Sequence, residues 1–242
     1  MRFNRKIWLN WKTKKPCPTC ETGVLLSDNK ANQLRNETNK SEEINSYGGY
    51  HYSDYVFSIH YKCSECKETV VASGEMSEEN YPSDEEIGIQ RSFMPVSYYP
   101  PLKIIAIPKS CPKSVSNVLN KSFGLYWMDL SSCANKIRIV IEVLLDELEV
   151  PKQYQTKKGK KDTQLHQRIE VYEKTNPEVG RFLLAIKWIG NAGSHYADIT
   201  KENILDAYQL LEYSLEQLFT DKKDALVKLR DEINETKKPR KK

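Results

Sequence analysis

Residues 187–195, KWIGNAGSH, decide how the carboxy-terminal half of this sequence is interpreted. They place Asn191 and His195 four residues apart, so on a helix both side chains would share one face. Two interpretations are open. The stretch is either a functional site or a structural junction, with Gly190 and Asn191 as a helix C-cap and the small residues 192–194 allowing tight helix packing.

Composition limits the class of protein. The 242 residues suffice for one large domain or two small ones, and we expect two unequal ones. The net charge of +4 is mildly basic, and much of the excess lies at 157–161 and 237–242, which permits contact with nucleic acid. No apolar run approaches the roughly 20 residues that span a bilayer, and no signal peptide follows Met1. We therefore expect a cytoplasmic protein without a membrane partner.

Four of the six cysteines form two Cys-x-x-Cys pairs, which in a reducing compartment indicate metal binding rather than disulfides. Four thiolates suit a tetrahedral structural Zn²⁺ site and leave no open position for catalysis. His51 or His60 could replace one thiolate, although an ordinary position in a strand is the commoner role for such residues. The predicted ligands are Cys17, Cys20, Cys63 and Cys66.

The cysteine pairs and the residues around them predict a small β module, a zinc ribbon, over residues 1–75. Alternating apolar residues at 55–61 predict a half-buried strand before the second pair, and 70–72 predict the returning strand. The two pairs are farther apart than in ordinary ribbons, and the polar stretch 27–47 accounts for the difference as a mobile insertion.

The remainder is predicted to be a linker and a helical bundle, so the fold class is α+β. Prolines between 76 and 114 favour an extended, non-helical linker. From 115 to 235 the apolar period becomes helical, with a short helix first and then a helix that begins after Ser131 and Ser132. Residues 236–242 are a basic tail by composition.

Two charged features of the helical part stay open to interpretation. Arg138 and Glu142 lie one turn apart, so they form a weak surface ion pair or point together at a ligand. Lys158 and Lys160 belong to a basic loop at 157–161, which either contacts phosphate or is only a solvated connection.

Several of these features together resemble an uncharacterised bacterial family of the HEPN-like helical superfamily. The resemblance rests on the two cysteine pairs, Gly74-Glu75, the proline-rich segment, the Arg138-x-x-x-Glu142 helix and, most specifically, residues 186–195. It implies a bundle of four or five helices, usually a homodimer, often in phage-defence or toxin–antitoxin systems. Active members of the superfamily are metal-independent ribonucleases.

The resemblance also implies roles for individual residues. Asn191 and His195 match the Asn and His of the superfamily motif, but Gly190 stands where the motif has Arg, so catalytic activity is left open. Lys187, one turn before Asn191, could supply the missing charge without the bidentate geometry of Arg. We therefore expect an RNA-directed domain that binds RNA, while weak metal-independent cleavage with His195 as general acid/base stays open. The alternative is a noncatalytic dimerisation or protein-interaction module of a defence system.

Overall fold

The computed structural model describes residues 4–10, 13–27, 33–37, 52–82, 87–156, 159–195, 199–220 and 222–237. An amino-terminal antiparallel sheet is followed by a mainly helical carboxy-terminal part, so the α+β class is confirmed. The strands are β1 (Leu25–Ser27), β2 (Gln33–Glu37), β3 (Tyr52–Cys63), β4 (Thr69–Pro82), β5 (Ile87–Tyr99), β6 (Gln153–Thr156) and β7 (Gly159–Asp162). The helices are α1 (Arg5–Leu9), α2 (Lys113–Met128), α3 (Leu130–Glu147), α4 (Leu165–Thr175), α5 (Pro177–His195), α6 (Lys201–Phe219) and α7 (Lys222–Thr236).

The long strand β3 organises the sheet. One edge of β3 pairs with β1 and, further along, with β2. The other edge pairs with β4, which in turn pairs with β5. The predicted alternation is confirmed, because Phe57 and Ile59 are buried whereas Val56 and His60 are exposed. The predicted returning strand at 70–72 is also confirmed as part of β4.

The linker predicted over 76–114 is wrong for most of its length. Residues up to 82 and from 87 to 99 are strands that pair with each other over almost their entire lengths. Pro95 is tolerated because β5 is an edge strand of the described sheet and because the register shifts between Ser73 and Gly74, opposite this proline. The prolines thus correctly indicated extended backbone, but they did not show that two extended segments pair with each other.

The polar insertion predicted at 27–47 also needs correction. Its described part, Gln33–Glu37, is β2 and pairs in register with β3, from Gln33 opposite Ile59 to Glu37 opposite Tyr55. A polar sequence can pair at a sheet edge because the ladder uses backbone groups rather than side chains.

Among the described residues of the predicted linker, 100–112 form the connection between the sheet and the bundle, and this segment packs closely on the bundle. Leu102, Ile104 and Ile105 are buried, and the backbone amide of Ala106 donates to Glu212 of α6 at 2.8 Å. The peptide bond between Tyr99 and Pro100 is cis.

The helices start at recognisable caps. Asn176 accepts from the amide of Val179 at 3.2 Å at the start of α5, as predicted, and Thr200 forms a capping box with Asn203 at α6. Helix α2 has 16 residues and is longer than the short helix expected. Helix α3 is capped by Asp129, which accepts from the amide of Ser132, rather than by the serines themselves.

The helical core follows the predicted stripes. On α3 the residues Ala134, Ile137, Ile141, Leu144 and Leu145 are buried against α2, α5 and α6. Of the basic loop predicted at 157–161, residues 159–161 belong to strand β7, which pairs with β6, and Gly159 has a positive φ of 114°. Residues 157 and 158 lie outside the described residues. Of the predicted basic tail, residues 238–242 lie outside the described residues.

The sheet and the bundle share one hydrophobic core. Tyr98 packs on Trp127 of α2 with ring centroids 4.7 Å apart, and Tyr126 donates to the carbonyl of Trp8 at 3.4 Å. Lys15 is buried at this junction and donates to the carbonyls of Ile7 and Asn10. Among the helices that the structure describes, none has the length and apolar character needed to cross a bilayer.

Candidate functional site

The first candidate site is the four-cysteine cluster at one end of the sheet. The Sγ atoms of Cys17, Cys20, Cys63 and Cys66 all lie within 4.8 Å of one another. The Sγ–Sγ distances are 3.6 Å for Cys17 and Cys66 and 3.6 Å for Cys20 and Cys63, and all four thiols are free. A tetrahedral zinc ion with Zn–S bonds of about 2.3 Å separates its sulfurs by about 3.8 Å. The cluster could therefore hold a metal ion.

Two similar turns present the thiols. In each turn the residue after the second cysteine has a positive φ, 60° at Glu21 and 62° at Lys67. Backbone amides donate to the sulfurs, from Thr19 to Cys17 at 3.4 Å and from Glu65 to Cys63 at 3.3 Å. These N–H groups favour the thiolate form that metals bind.

Gly23 and Thr22 complete the first turn. A Cβ at Gly23 would collide with the Sγ of Cys63, so only glycine lets the two turns approach this closely. The pKa of the Cys20 thiol is lowered to about 5. The largest cause is a hydrogen bond with the Thr22 hydroxyl, and the backbone amides of Gly23 and Thr22 contribute less. His60 lies in β3 opposite Val71, outside the cluster, and His51 falls outside the described residues.

The second candidate site is a pocket among α3, α4 and α5. Helix α5 runs unbroken through Gly190 and Asn191 to His195, so the predicted C-cap at these residues is wrong. Gly190 instead serves close helix packing, since a Cβ there would lie 3.2 Å from Cβ of Arg138 and 3.3 Å from the carbonyl oxygen of Ala134. Helix α3 therefore occupies the space that a side chain at position 190 would need.

This packing brings Arg138 to Lys187 and Asn191, a pair that the sequence analysis had treated apart from it. Arg138 on α3 and Lys187 and Asn191 on α5 line one pocket of about 710 Å³. The base of the β6–β7 hairpin, at Lys152 and Asp162, forms another part of its wall. The sequence did not predict that these elements meet.

The carboxylate of Asp146 is paired with two of the cations that line the pocket. Its carboxylate accepts from Arg168 at 2.7 Å and forms an ion pair with Lys152 at 2.7 Å. Burial would raise the pKa of Asp146, but these two partners outweigh burial and lower it. Arg168 also donates to the carbonyl of Val150 at 2.9 Å, so it serves to hold α4 against the end of α3.

Among the described residues, Arg138 and Lys187 have no ion pair as short as that between Arg168 and Asp146. The guanidinium of Arg138 lies 3.5 Å from Glu142, a weak version of the predicted pair. The buried Nε atoms of Arg138 and Arg168 both lack a hydrogen-bond partner in the described part of the chain. Lys187 is only 8% exposed, and its ammonium lies 3.5 Å from the centroid of the Trp188 ring. Burial, and secondarily the charge of Arg138, lowers the pKa of Lys187. The carboxylates of Glu142, Asp146 and Asp162 line the same pocket, so it carries both signs of charge.

The sequence analysis missed several pocket residues, and His166 is the one with an unpaired buried nitrogen beside Trp188. His166, at the start of α4, lines the pocket, its ring lies 5.7 Å from that of Trp188, and its buried Nδ1 lacks a partner. No local motif around His166 pointed to this role, since only the packing of α4 against α5 brings the imidazole here.

Three predicted site residues are only partly located. His195 ends α5, but its side chain lies outside the described part of the chain. Lys160 belongs to β7 without a described side chain, and Lys158 is outside the described residues altogether.

Fold and site together define an α+β protein with a four-cysteine cluster and a polar pocket among helices. Residues 120–237 match the family model described as Domain of unknown function (DUF4145), and residues 3–102 match the one described as Domain of unknown function (DUF8608). The second match spans the whole five-stranded sheet. No curated protein and no solved structure matches the chain significantly. These matches support the expectation of an uncharacterised domain family.

Proposed function

We propose that the helical part is an RNA-directed, HEPN-like domain whose pocket among α3, α4 and α5 binds a backbone phosphate of RNA. The observation that carries this proposal is the meeting of Arg138, Lys187 and Asn191 in one pocket. An Arg fork and a Lys point charge are the two side chains that proteins use most for phosphate, and an Asn amide can donate beside them.

In this proposal Arg138 supplies the guanidinium that the superfamily motif carries at the position of Gly190. Its Cβ is the nearest side-chain atom to the place where a Cβ at 190 would stand. The charge would thus come from α3 instead of α5.

The proposed reaction is cleavage through the RNA 2′-hydroxyl. The 2′-oxygen attacks the adjacent phosphorus, its proton passes to a base, and the 5′-oxygen leaves with a proton, giving a 2′,3′-cyclic phosphate. His195, one helical turn beyond Asn191, is our candidate for proton transfer, and Arg138 and Lys187 would stabilise the charge on phosphorus.

The first test measures binding of a fluorescently labelled single-stranded RNA to the full chain and to Arg138→Ala and Lys187→Ala. We expect each variant to bind at least about tenfold more weakly, since hydrogen bonds to charged groups contribute about 1.5–3 kcal/mol. Lys174→Ala is the matched control, because Lys174 is an exposed lysine of α4 that does not line the pocket. Equal affinity in all four proteins would refute the pocket as the binding site.

The second test concerns cleavage. Wild type and His195→Ala are incubated with labelled RNA in EDTA, and the product ends are identified. Wild-type products with a cyclic phosphate, lost in His195→Ala, would support the enzyme. Binding without cleavage would leave an RNA-binding module, and neither binding nor cleavage would favour the protein-interaction alternative. Light scattering of the same samples tests the expected homodimer.

We also propose that the cysteine cluster holds structural Zn²⁺, as in zinc ribbons. The four-sulfur donor set, the close Sγ separations and the absence of room for a Cβ at Gly23 support this proposal. The test is replacement by Co²⁺, which gives thiolate absorption bands. We expect one tetrahedral Co²⁺ per chain, lost in Cys63→Ser and retained in Cys111→Ser, since Cys111 is a buried thiol outside the cluster.

A further inference from the structure

Trp188 is an exposed aromatic side chain beside the pocket. It is 55% exposed, although its neighbour Lys187 in the same helix is buried. Its ring is in contact with two pocket residues, the ammonium of Lys187 at 3.5 Å from the centroid and the ring of His166 at 5.7 Å. The indole therefore lies next to the cations that we assign to phosphate.

The contacts of Trp188 restrict the motion of its ring. A cation held against an aromatic ring stabilises one orientation, and the tilted imidazole, at 54° to the indole, limits rotation further. A ring that is already oriented loses little conformational entropy when a flat ligand stacks on it.

We propose that Trp188 is a stacking platform for one unpaired nucleobase of the RNA whose phosphate occupies the pocket. This inference rests on the proposed function and makes its substrate specific, namely single-stranded rather than double-stranded RNA. Aromatic side chains stack on any base, because every base has a π face, but in a duplex both faces are covered by neighbouring pairs.

An exposed tryptophan is also common at protein–protein interfaces. The charges around Trp188 favour a nucleic acid instead. Lys187 lies against the indole, and Arg138 lines the same pocket without a short ion pair to a described residue, so a polyanion that carries flat bases matches these two cations beside an indole. A protein partner is kept as an outcome of the test.

The experiment compares three ligands of equal length, a single-stranded RNA, the same backbone without bases, and a perfect duplex. Fluorescence anisotropy gives the affinity of wild type, Trp188→Ala and Trp188→Phe for each. We expect Trp188→Ala to weaken single-strand binding about 5- to 150-fold, the range for loss of base–aromatic stacking, with Trp188→Phe intermediate. Affinity for the abasic backbone should stay unchanged, which a merely structural role of Trp188 would not produce.

Tyr99→Ala is the matched control, since Tyr99 is a 77% exposed aromatic residue of the sheet. Equal affinity of wild type and Trp188→Ala for the single strand, with weakened binding by Lys187→Ala, would overturn the stacking platform and leave the phosphate pocket intact. The absence of binding to all three ligands would overturn the proposed function itself. A Trp188→Ala variant that loses self-association but keeps its affinity for RNA would assign Trp188 to a protein interface.

Discussion

The cysteine cluster and the helical pocket are built in opposite ways. Each half of the cluster is a short turn in which backbone amides and a left-handed residue aim two thiols at one point. The pocket has no comparable local unit, since Arg138, His166 and Asn191 each come from a different helix. The cluster therefore depends on local chain geometry, whereas the pocket depends on how helices pack.

The largest effect should come from removing one of the proposed metal ligands. We expect Cys63→Ser to lower the free energy of unfolding by about 4 kcal/mol, less than the roughly 10–16 kcal/mol of isolated zinc fingers because this sheet shares a core with the bundle. Urea unfolding measures it, with Cys111→Ser as control. Equal losses in the two variants would show that the cluster contributes no more to stability than an ordinary buried thiol.

The junction between the two regions should respond to pH through Lys15. Burial, and secondarily the charge of Lys201, lowers the pKa of Lys15 from 10.5 to about 8. Above pH 8 the unfolded state therefore binds more protons at this residue, and stability rises with pH. We expect Lys15 to add about 2 kcal/mol between pH 7 and pH 9.5.

Urea unfolding of wild type and Lys15→Met at several pH values isolates this contribution. Only the difference in pH dependence is compared, because Lys15→Met also leaves the carbonyls of Ile7 and Asn10 without their donor. Parallel curves for the two proteins would mean that Lys15 is not buried as a cation at the junction.

Restoring the motif arginine tests the dependence of the pocket on packing. We expect Gly190→Arg to destabilise the chain by about 1 to 2 kcal/mol, since α3 occupies the space that a side chain would need. The control is Gly124→Ala in α2, where a Cβ meets only Pro101 at 3.6 Å and the better helix propensity should stabilise the chain. A stable Gly190→Arg variant with higher RNA affinity would contradict our assignment of that role to Arg138.

The smallest effect should arise within one cysteine turn. Lys67 has a φ of 62°, which costs free energy for any residue with a Cβ. We expect Lys67→Gly to stabilise the chain by about 0.5 to 1 kcal/mol, after the larger entropy of glycine in the unfolded state is subtracted. Thermal unfolding measures it, with Glu68→Gly, which should destabilise, as the neighbouring control.

Sequence reasoning succeeded where a pattern reports on one element at a time. Alternation located β3, the helical period located the buried stripe of α3, and Asn176 marked the start of α5. It failed for residues 76–99, because proline and polar residues indicate extended chain without showing that two extended segments pair. Sequence reasoning also treated Arg138 and Asn191 as unrelated features, although both residues line the same pocket.

The sequence alone determined which four cysteines form the cluster, because the Cys-x-x-Cys spacing fixes each pair of thiols within a single turn. Only the tertiary structure decided how the stretch 187–195 packs. Whether Gly190 caps a helix or admits a neighbouring one depends on which surface faces it, and that surface belongs to α3, about fifty residues earlier in the chain. Close packing of α3, α4 and α5 then converts single side chains into a pocket with two loosely engaged cations and an exposed indole beside it.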